Sequence, residues 1–355
     1  MKSFKNIFRC AGAFVAWVIG SGFATGQEVL QFYTSYGYRS YAIILINLVG
    51  FLVMGVSLYR TGQKHRDEEG FSHFTYLCGK RLGGFYSWMI VITLVPTMAV
   101  LISGAGATLR EYYGMNHYLG ALLMAAAVLV TYFIGFERLV KLLSFVGPSI
   151  IAFCLLIGTV TLFRDMENFA KIGEYEPVLA ELQPSSNWVV GALLYFSYNC
   201  FDGSTYYTQV GKTARGIKEA TWGAVLGAVM LMAAITVMNT AILLNGGTAA
   251  ALAVPSLYLA RQISPVLGAV FSVFLVMGIF SCCSAMLWTV SSKFATGAVK
   301  RDRLVAVGLV IGVFFLSLFP FGELIGAFYP VIGYMGWLLV GCVIWKMLTE
   351  KRNAA

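Results

Sequence analysis

Long apolar runs separated by short charged clusters set the rhythm of this chain. A helix needs about 20 mostly apolar residues to cross a bilayer. Ten such runs can be read between the charged clusters: 8–34, 41–59, 83–109, 118–136, 139–163, 188–211, 219–244, 265–292, 303–319 and 322–346. Each is predicted to be helical, because lipid offers no partner to an open backbone N–H or C=O. Two of the runs are interrupted by small and polar residues. The first contains Ile19-Gly20-Ser21-Gly22-Phe23-Ala24-Thr25-Gly26-Gln27-Glu28, and the sixth contains Ser197-Tyr198-Asn199-Cys200-Phe201-Asp202-Gly203-Ser204-Thr205. Each opens a set of five runs, and an odd number per set makes the second set start on the opposite side. The expected architecture is an all-α integral membrane protein of ten helices in two inverted five-helix repeats, with helices 1 and 6 broken. The repeats cover 1–163 and 188–346, joined by a connection at 164–187 and followed by a tail at 347–355.

Composition agrees with this pattern. Of 355 residues, 59% are hydrophobic and 12% charged, and the mean hydropathy is +0.77. A water-facing surface uses about twice that share of charge, whereas a lipid-facing one does not need it. With the N-terminus placed in the cytoplasm, twenty of the 25 Lys and Arg residues fall on the cytoplasmic side, leaving only Arg39, Arg110, Arg164, Lys171 and Arg261 outside. The positive-inside rule selects that orientation, with both termini cytoplasmic in a bacterial inner membrane. The net charge of +9 is spread over every cytoplasmic turn, so it gives no nucleic-acid-binding patch. The first run exceeds the length of a signal peptide and is read as the first span. Seven cysteines and three histidines lie scattered, without metal or disulfide spacing. No nucleophile–base set or phosphate loop is present, so no enzymatic activity and no cofactor are expected.

The interruptions carry the chemistry. Interrupted helices at matching positions of two halves point to a transporter's binding site. The outer half of helix 1 is expected to begin near Gly22, so its N–H groups and positive dipole end face the break and suit a carboxylate. Free carbonyls at the ends of the other half-helices suit an ammonium group or a cation. One site with both features fits a zwitterionic amino acid. The competing reading is that the small residues only let helices approach closely. The candidate substrate-binding set is Ile19, Gly20, Ser21, Gly22, Phe23, Thr25, Tyr198, Asn199, Phe201 and Asp202.

An ionised group at a helix centre costs about 2.5–3.5 kcal/mol on insertion scales, so three residues need a reason. Asp202 binds a substrate amine or a proton, or else caps the inner half of helix 6 through the N–H groups of Ser204 and Thr205. Glu28 is an outer gate or proton acceptor, or a hydrogen-bonding partner of a neighbouring helix. Lys141 snorkels to the cytoplasmic interface or serves coupling. The connection at 164–187 is acidic, with Asp165, Glu167, Glu174, Glu176 and Glu181; it is a vestibule or a solvated connector with room for a short interfacial helix. Residues 245–262 are too polar to span and are expected to fold back over an outer vestibule.

The sequence IGSGF at 19–23 resembles the helix 1 signature of the amino acid–polyamine–organocation superfamily. LLYFSYNCFDGSTYYTQVGKTARGIKEATWGAVLG at 193–227 resembles its helix 6 and the following turn, and LVKLLSFVG at 139–147 its helix 5 in proton-coupled members. GSGFATGQE resembles the YkvI-type bacterial membrane proteins. The resemblance implies the LeuT fold, with helices 1, 2, 6 and 7 as a moving bundle and 3, 4, 8 and 9 as a scaffold. It implies that Ser21, Gly22 and Phe23 meet a substrate carboxylate, Ile19 and Asn199 offer carbonyls, and Phe201 is an aromatic gate. It further implies either Lys141 as a proton-coupling lysine or a sodium ion held by Ala16, Ile19, Ser281 and Ser284, so the coupling ion is H+ or Na+. GQE after the glycine motif departs from the usual apolar continuation and points to a different substrate. The expected function is cation-coupled secondary active transport of an amino acid or related small amine by alternating access. The alternative is a non-transporting amino-acid sensor, like a germinant-receptor subunit of the same fold. The expected partners are the small-molecule substrate and the lipid bilayer.

Overall fold

The computed structural model describes residues 2–18, 21–134, 146–294 and 299–354. The first apolar run is three helices in succession: α1 (Lys2–Val18), α2 (Ser21–Ala24) and α3 (Gln27–Phe32). A 3-10 turn, Thr34–Arg39, leads into α4 (Ser40–Lys64). Then come α5 (His73–Tyr113), α6 (His117–Ile134) and α7 (Val146–Arg164). A second 3-10 turn, Met166–Lys171, precedes α8 (Ile172–Ala180). The rest is α9 (Trp188–Lys212), α10 (Ile217–Leu243), α11 (Gly246–Ala249), α12 (Pro255–Ile263), α13 (Pro265–Phe294), α14 (Val299–Leu316) and α15 (Phe321–Ala354). Several starts are written locally. The Ser72 hydroxyl accepts the Thr75 N–H at 3.3 Å, the Asn187 side chain accepts that of Val189 at 2.9 Å, and Pro255 occupies the first turn of α12, all preferred N-terminal devices. Among the described residues, seven segments are long and apolar enough to cross a membrane: Thr34–Lys64, His73–Tyr113, His117–Ile134, Val146–Arg164, Ile217–Leu243, Pro265–Phe294 and Phe321–Thr349.

The buried apolar residues form two principal cores. The larger joins α1 to α4, α9 and α10 and extends to α5, α7, α12, α13 and α15. The smaller draws only on α5, α6, α13 and α14. The most apolar window of α5 is 78% buried against 33% for α6, so α5 is an interior pillar and its polar side chains face protein. Large apolar side chains such as Leu122, Phe163, Val266, Leu304 and Trp345 cover the exterior, the surface expected where lipid is the solvent.

The predicted break of helix 6 is not there: α9 runs unbroken from Trp188 to Lys212. Several of its polar residues bond without opening the helix, while the hydroxyls of Tyr195, Ser197 and Tyr207 are buried without a hydrogen-bond partner. The hydroxyls of Ser204 and Thr208 return to the carbonyls of Phe201 and Ser204, each at 2.8 Å, and the Asn199 amide donates to Tyr195 O at 3.1 Å, the local bonding such side chains make within helices. Its glycines make room for neighbours. A Cβ on Gly203 would lie 2.5 Å from the Trp17 indole nitrogen, and one on Gly211 would lie 2.2 Å from Tyr59 O. Close helix approach, the competing reading of a small-residue patch, is what these positions serve. No carbonyl is freed at Asn199, and no freed N–H awaits Asp202 as a cap.

Candidate functional site

Helix 1 is broken at Thr25-Gly26, between α2 and α3, where Gly26 takes φ 82, ψ −9. A side chain there would be in the left-handed region that only glycine enters freely. Each carbonyl the turn releases has a partner. The Thr25 hydroxyl donates to Gly22 O at 2.7 Å and the Gly26 N–H to Phe23 O at 2.9 Å. Ser256, at the start of α12, reaches the remaining two: its hydroxyl donates to Ala24 O at 2.5 Å and its N–H to Thr25 O at 3.1 Å. The segment preceding α12 is held in turn by Glu111 at the end of α5, whose Oε1 accepts the N–H groups of Ala253 (2.7 Å) and Val254 (3.1 Å). The 245–262 segment therefore does fold back, and it closes over helix 1 itself.

Glu28, in α3, is 5% exposed and turns back onto Gly22. Tyr198 of α9 donates its hydroxyl to Glu28 Oε2, so two residues of the predicted set meet although only one of their helices is broken. Around them lie aromatic groups. Tyr329 of α15 stacks on Tyr198 with ring centroids 4.6 Å apart, and Tyr195 stands edge-on to Tyr198 at 5.5 Å. Tyr33 packs edge-on to Tyr195 at 4.8 Å and accepts at its hydroxyl from the Asn47 amide at 2.7 Å. Sequence reading missed Tyr33, Asn47, Tyr195 and Tyr329. The available signal was Asn47 and the tyrosines standing within apolar runs, where each needs a partner for its polar tip.

Asp202 is 7% exposed and faces α5. Its Oδ1 accepts from the Thr93 hydroxyl at 3.0 Å and its Oδ2 from that of Thr97 at 3.4 Å. Thr93 and Thr97 are four residues apart and so share one helix face, a spacing visible in the sequence and passed over. No Lys or Arg among the described residues is buried, so neither Glu28 nor Asp202 has a buried basic partner there.

The other expected residues are dispersed. Phe201 is buried against Tyr86 at 5.3 Å and Phe74 at 6.1 Å, in the wall between α9 and α5. Phe23 is fully buried. Ala16 approaches Gly147 on α7, and Gly278 on α13 approaches Ile150, so the start of α7 lies between α1 and the α13 stretch that carries Ser281 and Ser284. The Ser284 hydroxyl is buried and has no hydrogen-bond partner. Ser21 opens α2. Ile19, Gly20 and Lys141 lie outside the described residues. A cavity of about 690 Å³ is lined by Arg110, Glu111, His117, Tyr118, Ala251 and Phe321 among others. None of its walls belongs to the helix 1 break, so it is a recess at the end of the bundle where α5 meets the 245–262 segment.

The acidic connection is packed against the bundle. Ile172 and Leu179 of α8 are fully buried. Tyr38 donates to Phe169 O at 2.9 Å and Gln183 to Ser35 O at 2.9 Å, which ties the connection to the turn that follows helix 1. At its start, Arg164 donates to Asp165 at 2.6 Å, and that hydrogen bond holds the Asp165 carboxyl below the usual carboxylate range, with help from the Asn245 amide at 2.8 Å.

This architecture is the LeuT fold. The chain superposes on MhsT in complex with L-phenylalanine with a TM-score of 0.60 (13% identity, covering 92% of this chain and 87% of that one). It matches the inward-facing conformation of Mhp1 with a TM-score of 0.60 (15% identity, 95% and 75% coverage). A Na+-coupled sialic acid symporter in a substrate-bound outward-open state gives a TM-score of 0.52 (16% identity, 97% and 86% coverage). In sequence, the chain is similar over nearly its whole length to two proteins of Bacillus subtilis (strain 168). These are the uncharacterized membrane protein YkvI (21% identical over 348 residues, 97% of this chain and 96% of that one) and the uncharacterized protein YyaD (23% over 341 residues, 94% and 95%). No family model matches the chain. The chain is thus a multi-pass membrane protein with the LeuT fold, similar in sequence to YkvI and YyaD over nearly its whole length.

Proposed function

We propose that this protein is a secondary active transporter that moves an amino acid or related small amine by alternating access, driven by a proton or sodium gradient. The observation that carries the reading is the buried break of helix 1, with the Glu28 carboxylate folded over Gly22 and held by Tyr198 of α9, in a fold shared with a Na+-coupled symporter. A carboxylate is retained in an apolar bundle only where it has work to do or good partners, and here Glu28 and Asp202 are both buried while no Lys or Arg among the described residues is. On this reading the chain has ten spans in two inverted repeats, 1–163 and 188–346, joined by 164–187 and followed by the tail 347–355. Its termini face the cytoplasm of a bacterial cell and it sits in the inner membrane.

Substrate binds at the helix 1 break among Gly22, Phe23, Glu28 and Tyr198, and the contribution of α9 comes from side chains. Asp202, cradled by two threonine hydroxyls, is the second charged group of the cycle and takes up a proton or faces the substrate amine. The orphaned Ser284 hydroxyl supports a sodium ion held by Ser284 and Ser281 with carbonyls near Ala16 and Ile19. Lys141 is the coupling group if protons drive the cycle.

The test is uptake by the purified protein in proteoliposomes, with a panel of amino acids and amines and with sodium and pH gradients varied independently. Gradient-driven accumulation of at least one compound is expected. Binding without net flux would reject transport in favour of a sensor. Uptake that follows sodium and ignores the pH gradient would remove Lys141 from the mechanism. Asp202→Asn, folded as judged by monodispersity, is expected to lose accumulation at least tenfold; unchanged uptake across pH would make Asp202 a structural group.

A further inference from the structure

Two thiols meet across separate helices at the start of α5. That helix bends at Gly79, which takes φ 77, ψ 172, a conformation open to glycine and strained for other residues. Residues 73–78 are therefore an arm set off from the pillar that follows. The arm leans on α9 and α15. His73 Nε2 lies 3.1 Å from the Ser204 hydroxyl, Phe74 packs on Phe201, and the Lys346 ammonium stands 4.3 Å from the centroid of the Tyr76 ring. Beyond the bend, Tyr86 donates its hydroxyl to Met335 O at 3.0 Å. Rising numbers on α5 thus meet falling numbers on α15, Tyr76 with Lys346 and Tyr86 with Met335, as in antiparallel neighbours. Cys78 and Cys342 fall between these two contacts, on opposite sides of one seam. There the Cys78 thiol hydrogen-bonds that of Cys342.

A single half-buried cysteine reads as a small hydrophobe; two whose thiols touch from different helices form a dithiol. Cys10, Cys154, Cys200 and Cys283 are buried, whereas Cys78 and Cys342 are half-buried. Lys80 and Arg81, just past the bend, are exposed and mark this end of the seam as the one that meets water. We infer that Cys78 and Cys342 are a redox-responsive modification site, which a small oxidant of the peroxide class closes to a disulfide that ties the 73–78 arm to α15. One sulfur attacks a peroxide oxygen, the O–O bond breaks, and a sulfenic acid and water result. The second sulfur attacks the sulfenic sulfur, the S–S bond forms, and the hydroxyl leaves with the thiol proton as a second water. The two sulfurs give up two electrons and hydrogen peroxide accepts them. A dithiol reductant reopens the bond by exchange, so the pair is open in a reducing compartment. Closed, the bond pins the arm that carries the contacts to Ser204 and Phe201 of α9. This goes beyond the transport reading and stands whether or not the chain moves a substrate.

The experiment treats the purified full chain with graded hydrogen peroxide, blocks the remaining thiols with N-ethylmaleimide and maps the peptides by mass spectrometry before and after dithiothreitol. A Cys78–Cys342 linked peptide, short of two hydrogens, is expected in at least tenfold excess over any other pairing of the seven cysteines. Dithiothreitol should return both halves as free thiols. Cys78→Ser and Cys342→Ser should each abolish the linked peptide and leave the remaining sulfur as a sulfenic or sulfinic acid; if one variant does not fold, the other carries the control. Hydrogen–deuterium exchange of the oxidised wild type should slow severalfold at residues 73–78, and peroxide should cause no such slowing in the serine variants. Absence of the linked peptide at every peroxide dose that leaves the chain folded would overturn the inference. So would scrambled pairing among the cysteines, or a Cys78–Cys342 bond that leaves exchange of the arm unaltered.

Discussion

The first and sixth apolar runs are alike in composition and unlike in outcome. Both place glycine, serine, a carboxylate and aromatic residues in mid-span, yet helix 1 opens at Thr25-Gly26 while α9 stays whole. The difference lies in what waits outside each helix. Around helix 1, Gly26 adopts a left-handed turn, and Ser256 of a distant segment supplies donors to Ala24 O and Thr25 O. Around α9, glycines press against α1 and α4 and the hydroxyls return to their own helix. A break in an apolar setting forms where another element satisfies the freed groups; small residues without such a partner become contact surface.

The largest effect that would sharpen this contrast comes from the contact surface. Gly211→Ala puts a methyl 2.2 Å from a backbone oxygen, and Gly62→Ala puts one 1.9 Å from Thr208 O. Neither neighbour is a flexible side chain, so overpacking of about 1–3 kcal/mol or more is expected, seen as lowered thermal stability of the purified protein. Wild-type stability in both variants would undo the packing account of α9. Gly26→Ala comes next, with a strain of about 1–2 kcal/mol for a side chain in the left-handed region. It should alter the helix 1 break and leave α9 protected from amide exchange; a change confined to α9 would reverse the roles of the two helices. Ser256→Ala removes a donor from a buried carbonyl and is expected to cost about 1 kcal/mol, with faster exchange near residues 24–28 as its signature. Unaltered exchange there would show that the turn holds without α12.

How much of this was legible depended on sequence distance. The apolar helices were legible because a 20-residue apolar run needs no information about its neighbours. A break in helix 1 was legible too, but not its place: the outer half was expected to begin near Gly22, and the described turn lies at Thr25-Gly26. The partner of the break was not: Ser256 reads as an ordinary serine after a proline until the fold brings it to Ala24. For the same reason Asp202 could be read as a cap, a ligand group or a proton carrier, and its threonine cradle sits on α5. The sixth run misled because packing glycines and hinge glycines are written with the same letters.

The smallest predicted effect concerns the connection that braces the turn after helix 1, for which α9 has no counterpart. Asp165 is held below the ordinary carboxylate range by Arg164. A depressed folded-state value means that its contribution is present above the ordinary carboxylate range and is lost as pH falls through the folded value. Limited proteolysis at 165–171 should therefore rise only at acid below that range, and Asp165→Asn should flatten the response. An identical pH profile in the variant would remove Asp165 from the brace.

Hydrogen–deuterium exchange of the wild-type protein in lipid nanodiscs reports on both helices at once and tests the central contrast most directly. Amides of residues 21–28 should exchange much faster than those of 198–208, and a substrate that binds should protect the first stretch more than the second. Equally fast exchange at 198–208, or ligand protection centred there, would contradict the account and restore two broken helices.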